Sequence, residues 1–467
     1  MQETQANQLN LRQLLPVLFI VFIDTMGFTI VMPVIPFYVL AFDAPPSAVG
    51  LIIMFYALAQ LLFAPILGNL SDRFGRKPIL VISQIGTFAS LLLMGFAWTL
   101  PMLFLARILD GITGANLSTV QSAISDRTTE ADRAKGLGLI GAAAGLGFVV
   151  GPLIGGLALR LADNSYSAPA FVGAGFAFVS ILLTAFVFRE TLATELRGTA
   201  KRARSGLGQV VAGLRSPQMG PLYVLIFAVQ FIFTMFTASF ALFTLNRIGF
   251  NSFNNAIFFG VFGVMLVLMQ GVFVGRWVPR YGEYRLLVVS FILAFAGFGV
   301  ASFTPQQAVP WYSEAAMIAE LSQQDGAVQQ RTLLPSEVGA GIGSFLMILI
   351  GLTPGPLAFT LQMPILNTLI SKRSAPSEIG QAMGVSAAAA GAGSVVGPLL
   401  SGWLFDQVTP FAPFALNSLL SLALLAVVVS LRSTIERPTQ SVQDALPNEL
   451  PQMSAPTLHK ATTAAGN

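Results

Sequence analysis

Three ionisable side chains stand inside otherwise apolar runs of this chain: Asp24, Arg107 and Asp110. A charge in a hydrocarbon-like setting is costly, so such residues are kept for a task or a partner. Arg107 and Asp110 lie three residues apart and share one helix face, where the guanidinium can hold the carboxylate. A carboxylate whose partner changes between two conformations binds a proton in one and releases it in the other. Asp24 is therefore the expected proton-exchanging acid. Arg107 and Asp110 form either a switching pair or a static support for their helix. Metal chemistry is not expected, because there is no cysteine and the single histidine, His459, lies in a polar tail.

The elements that hold these charges are long and apolar. The chain is 54% hydrophobic and 10% charged, whereas soluble domains carry roughly 25% charged residues. Twelve runs are long enough to cross a bilayer, near 14–40, 48–69, 79–99, 101–124, 136–160, 168–188, 219–245, 253–275, 286–304, 339–370, 379–404 and 410–431. In lipid each backbone polar group needs an internal partner, so the runs are expected to be helices, and the fold an all-α integral membrane protein. The first run is too long for a signal-peptide core and is read as an uncleaved helix. Threading twelve spans with the N-terminus in the cytoplasm places 21 of the 25 basic residues in cytoplasmic segments, leaving Arg107, Arg160, Arg247 and Arg331 elsewhere. Both termini are therefore expected on the inner side of the cell membrane.

Two internal repeats divide the chain. Gly68, Arg73, Gly75 and Leu80 match Gly275, Arg280, Gly282 and Leu287, 207 residues later. Gly145–Gly156 matches Gly391–Gly402, 246 residues later. The expected organisation is two pseudo-symmetric six-helix bundles, residues 1–188 and 219–432, joined by a basic cytoplasmic linker at 189–218. The larger second offset places an insertion at about 305–338 on the outer side, with a short surface helix near Glu314–Gln323. Residues 433–467 read as a disordered cytoplasmic tail. Parallel repeats around a membrane-normal axis, with a site between them, are one plan for a transporter.

The second half has no ionisable residue well inside a span, so a ligand there would meet rings, thioethers and amides. Phe233 and Phe236 on helix 7, with Gln230 and with Gln362 on helix 10, are candidate lining residues, as are Asn116 and Gln121 on helix 4. Such surfaces suit lipophilic ligands, and aromatic faces also attract cations. Gly147, Gly151 and Gly155 recur every four residues beside Pro152, and Gly397 and Pro398 repeat the pattern. These small residues let a neighbouring helix come close.

Taken together, these motifs resemble the major facilitator superfamily over nearly all of residues 12–435. The resemblance rests on Gly68–Ile79 between helices 2 and 3, Gly151-Pro152 with its flanking glycines, Arg107–Ala115, Asp24–Pro33 and Phe188-Arg-Glu-Thr191. It is greatest to the drug:proton antiporter branch that includes the tetracycline exporters, in which the helix 5 motif is associated with export. The resemblance implies that Gly68, Asp72, Arg73, Gly75 and Arg76 form a cytoplasmic gate, with Asp126 as a partner for Arg73. The chain departs from that branch at Ser90, where tetracycline exporters carry an acid, in lacking a helix 8 histidine, and at Asp110, where glutamine is usual. Pro279 stands where the second copy of the loop motif would repeat Asp72. A broader or different substrate than tetracycline is expected.

No phosphate-binding glycine loop, nucleophile elbow or nucleotide site is present. An enzyme is not expected, nor a nucleic-acid or nucleotide partner, nor a cofactor. The reading is a proton-coupled antiporter that exports small lipophilic compounds or drugs, acting as a monomer among membrane lipids. Proton-coupled import of a small solute and lipid or glycolipid flipping are the alternatives.

Overall fold

The structure is a computed structural model that describes residues 11–128, 130–198, 207–322, 334–335, 337–338, 341–375 and 378–436. Residues 437–467 of the expected tail, with His459, lie outside the described residues.

Among the described residues, twelve helices are long and apolar enough to cross a membrane. In chain order, spans 1 to 6 are Leu14–Ala41, Pro46–Phe74, Arg76–Gly95, Leu100–Ser125, Gly138–Leu161 and Ser167–Phe186. Spans 7 to 12 are Gly220–Ile248, Ser252–Tyr281, Glu283–Ser302, Ile342–Arg373, Ile379–Gln407 and Ala412–Ser430. Each expected run is thus a helix, with ends shifted by a few residues. Four spans are interrupted. Span 1 turns at Met32–Val34 around Pro33, which has no N–H to continue the ladder. Span 4 is two helices, Leu100–Thr113 and Leu117–Ser125, and not the continuous helix expected at 101–124. Span 8 contains a π-helical turn at Met269–Val274, and span 10 breaks at Thr353 before Pro354.

Spans 1 to 6 pack as one bundle and spans 7 to 12 as the other. The bundles meet through span 2 against span 11 and span 5 against span 8. The glycine stripes make close packing possible. A Cβ on Gly147 would lie 2.7 Å from Phe22 O, and one on Gly151 2.9 Å from Met26 O, so span 5 lies directly on the backbone of span 1. Gly393 and Gly397 do the same for span 11 against span 7.

The two ends of the molecule differ. At the end that carries the insertion, one core cluster draws on both halves: Val34, Phe37 and Tyr38 with Phe236, Phe240, Phe243 and Phe414. Ser47 donates to Asp406 across the halves there at 2.9 Å. At the end that carries the linker, the cores separate. Leu14, Leu80 and Ile124 belong to a cluster of the first half alone, and Leu222, Leu287 and Leu366 to one of the second. Gly138 and Gly141 of span 5, Gly271 and Gly275 of span 8, and Gly380 and Gly384 of span 11 all face open space. The halves therefore share one core at the insertion end and have separate cores at the linker end. The linker helix Leu207–Arg215 lies against span 11, with Gly213 beside Val385 and Tyr223.

The insertion begins and ends on a two-residue parallel ladder, Gln307 with Glu337 and Ala308 with Val338. The expected short helix is Glu314–Leu321, capped by Ser313, whose side chain accepts from Ala316 N. One face of it is exposed, at Glu314, Ala315, Ala316 and Ala319, and the other is buried against the body of the protein through Met317, Glu320 and Leu321.

Candidate functional site

Asp24 lies half-buried on span 1 and accepts a 2.7 Å hydrogen bond from Asn116 Nδ2. Asn116 stands at the break in span 4, where it precedes the helix Leu117–Ser125. The break frees the carbonyl of Gly114, and Gln60 of span 2 offers its Nε2 at 3.4 Å. One turn back, Arg107 donates to Asp110 at 2.7 Å, and both side chains are almost fully buried. The guanidinium also lies over two rings, Tyr56 at 4.4 Å and Phe28 at 5.7 Å, which stack on each other at 5.1 Å. Ser90, at the position of the missing acid, is buried beside Asp110. Spans 1, 2, 3 and 4 thus converge on a cluster with two carboxylates and one cation. The cation is committed to Asp110, and a neutral amide serves Asp24.

Asn116 was expected to face a ligand; its amide is instead given to Asp24. Gln121 is exposed one turn further along and joins neither this cluster nor the gate motif. In the second half Phe236 is fully buried among Phe240, Phe262, Phe298 and Phe414, so it is core and not lining. Phe233 is partly exposed and stacks on Phe359 of span 10, with centroids 3.9 Å apart. Gln230 donates to Ser394 of span 11 at 3.1 Å. Gln362 is buried, and its Nε2 has no protein partner.

The expected gate residues do come together, with one exchange of partner. Arg76, not Arg73, joins the acids: its Nη1 contacts Asp72, and its Nε reaches Asp126 at 3.2 Å. Arg76 sits at the start of span 3, where its buried guanidinium can face both acids, whereas Arg73 lies over the Phe74 ring. Thr191 Oγ1 adds a 3.1 Å bond to Asp126. Glu190 caps span 3, accepting from Arg76 N at 2.9 Å and Lys77 N at 3.2 Å, and also from Thr191 N and Leu192 N. Burial pushes the Glu190 carboxyl up, but these four N–H donors outweigh it and hold the group below its ordinary range. Gly75 has φ +106°, and a Cβ there would run into Glu190, so this position requires glycine on two grounds. The network links spans 2, 3 and 4 to the segment after span 6, and it lies entirely within the first half.

Tyr56, Gln60 and Glu190 were missed. Gln60 is an amide inside a span, which is the signal that singled out Gln230 and Gln362. Tyr56 and Phe28 had no signal, since a ring in an apolar helix is usually lipid-facing or core.

The sequence profile of the Major Facilitator Superfamily matches residues 17–323 and 331–461. The class B tetracycline resistance protein of Escherichia coli is 35% identical over 289 residues, covering 61% of this chain and 71% of that protein. Multidrug resistance protein 1 of Bacillus subtilis (strain 168) is 29% identical over 403 residues, covering 86% of this chain and 91% of the relative. Among solved structures, the nucleoside transporter NupG superposes with a TM-score of 0.69 at 13% identity, covering 92% of this chain and all of that one. That likeness speaks to the fold alone.

Proposed function

This chain belongs to the major facilitator superfamily, and we infer that it exports small lipophilic compounds from the cytoplasm in exchange for protons. The observation that carries the reading is the asymmetry of the two acids. Asp110 is locked to Arg107 at 2.7 Å. Asp24 meets only the amide of Asn116 among its described hydrogen bonds and is partly buried. An acid held only by a neutral donor can exchange its proton with water that reaches it. Asp110, by contrast, is tied to a cation on its own helix.

The distribution of basic residues assigns the linker end to the cytoplasm. The molecule is then open inward, the state in which a cytoplasmic compound enters and Asp24 releases its proton. Rocking the halves closes that end and opens the other, where Asp24 takes up a proton as the compound leaves. The gate motif, held within the first half here, is free to engage the second half when the inner end closes. The relatives named for tetracycline and multidrug resistance support export over import. Phe28, Tyr56, Phe233 and Phe359 offer flat apolar faces, and Gln60, Gln230 and Gln362 offer neutral hydrogen bonds. That set fits a lipophilic ring system with a few polar groups, a cationic one included. We place the protein in the cytoplasmic membrane as a monomer surrounded by lipid, with both termini inside.

The test is accumulation of a fluorescent lipophilic cation in efflux-deficient cells. Wild type should lower accumulation, an uncoupler should restore it, and Asp24→Asn should abolish export. Equal accumulation in all cells would overturn the reading. Proton-driven export by Asp24→Asn would move the coupling site to Asp110.

A further inference from the structure

The insertion helix Glu314–Leu321 carries a buried acid outside the membrane-spanning segments. Glu320 is only 4% exposed. Its Oε1 accepts from Ser252 N at 3.3 Å and from the Ser252 hydroxyl, at the start of span 8 in the second half. Tyr166 belongs to the first half, between spans 5 and 6. Its hydroxyl donates to the Glu320 carbonyl at 3.2 Å and reaches Oε1 at 3.5 Å. Tyr166 is fixed in turn against Tyr38, with ring centroids 5.7 Å apart, and Tyr38 donates to Ala97 O at 2.9 Å. Met317 and Leu321 of the same short helix enter the core cluster that both halves share. The insertion is thus bonded to both halves at the end where they share one core.

We propose that the segment from Gln307 to Leu321 is a strap across the outer end of the transporter and that Glu320 is its latch, whose contact with Tyr166 must break each time that end opens. The proposal rests on the alternating-access reading above. Opening draws Tyr166 away with the first half, while Ser252 and the strap stay with the second. Glu320 then meets water. Its surroundings make the latch sensitive to outside pH. The groups that face it are Tyr166 from the first half and Ser252 from span 8. Among the described residues, no cation pairs with it. Burial pushes the Glu320 carboxyl above the usual carboxylate range, against the pull of the Ser252 and Tyr166 donors. The closed end therefore holds a proton on Glu320 more tightly than the open end does. By linkage the closed state is favoured at low outside pH and is lost as pH rises through the closed-state value.

The cysteine-free chain allows a clean test. Ala256 is fully buried against Gly156 of the other half, so Ala256→Cys is labelled by an impermeant maleimide only when the outer end opens. With the reporter in an Asp24→Asn background, the central acid does not titrate. Glu320→Ala should raise the labelling rate about tenfold and Tyr166→Phe about threefold, as expected for losing hydrogen bonds to a buried acid. Normalised to the thiolate fraction of the reporter, labelling should rise with outside pH when Glu320 is present and stay flat in Glu320→Gln. Should Glu320→Ala not reach the membrane, Tyr166→Phe and Glu320→Gln carry the test. Unchanged labelling in these variants, or an unaltered pH profile in Glu320→Gln, overturns the latch. The readout needs no transport, so the latch stands or falls separately from export, which is measured in the same cells with Asp24 intact.

Discussion

Removing Arg107 should do more harm than removing the whole pair it belongs to. The Arg107 and Asp110 side chains are 4% and 8% exposed, and their 2.7 Å contact is charge-assisted. Breaking a buried pair by deleting one partner strands the other charge and costs about 3–5 kcal/mol. Arg107→Ala also loses its place over Tyr56 and Phe28, worth about 1 kcal/mol more. Set against a folded-state margin of roughly 5–15 kcal/mol, that is a large fraction. Replacing both partners by apolar residues of similar volume, Arg107→Met with Asp110→Leu, leaves no stranded charge and should restore most of the loss. Thermal unfolding of the purified protein in detergent measures both effects, and dye export measures function in parallel. We expect the double variant to be nearly as stable as wild type, and loss of its export would mark the pair as part of the coupling switch. Single variants as stable as wild type would refute the buried-pair energetics. Export by the double variant would reduce the pair to a static support for span 4.

Other consequences can be checked more briefly. Gly75→Ala should strain a backbone at φ +106° and push Glu190 off the start of span 3, lowering stability by about 1–2 kcal/mol in thermal unfolding. The Glu190 cap has its own pH signature. Its carboxyl is held below the ordinary range when folded, so its contribution is present above the unfolded value and is lost as pH falls through the folded one. Acid unfolding of Glu190→Gln should accordingly show a shallower pH dependence than wild type below about pH 4. At the closed end, a Cβ on Gly50 would meet Gly402 Cα at 3.1 Å and run into Pro398 O. Gly50→Val should therefore disfavour this state and raise outside labelling of the Ala256→Cys reporter; unchanged labelling would mean that spans 2 and 11 do not part there.

What the sequence could and could not disclose follows from the kind of interaction. Helices that must satisfy their own backbone in lipid announce themselves by length and hydropathy, so the twelve spans were legible to within a few residues. Asp24, Arg107 and Asp110 were legible because charge in an apolar run is rare. The break in span 4 was not. No proline marks Gly114–Asn116, and the freed carbonyl is taken by Gln60, 54 residues earlier in the chain. Phe236 was misassigned to the lining because periodicity does not say which side of a helix meets a cavity. The role of Glu320 depends on Ser252 and Tyr166, which no spacing connects to it.

One feature of the repeat was present in the sequence and needed the structure to be seen. In the first half, Arg76 at the start of span 3 pairs with Asp126 at the end of span 4. In the second half, Glu283 at the start of span 9 pairs with Lys372 at the end of span 10 at 2.5 Å. Glu283 lies 207 residues after Arg76 and Lys372 lies 246 after Asp126, the same two offsets that define the repeats. Residue matching hides the correspondence, because both signs are inverted and the two partners obey different offsets. What the halves share at the linker end is thus an ion pair between the third and fourth helices of each bundle, of either polarity. What they do not share is Asp72, which Pro279 replaces. An ion pair of either sign can brace a loop, but only the first half adds a second acid to its cation. The second half mirrors this with opposite signs, since Glu283 faces Arg373 as well as Lys372, so each brace sets one charge between two of the other sign.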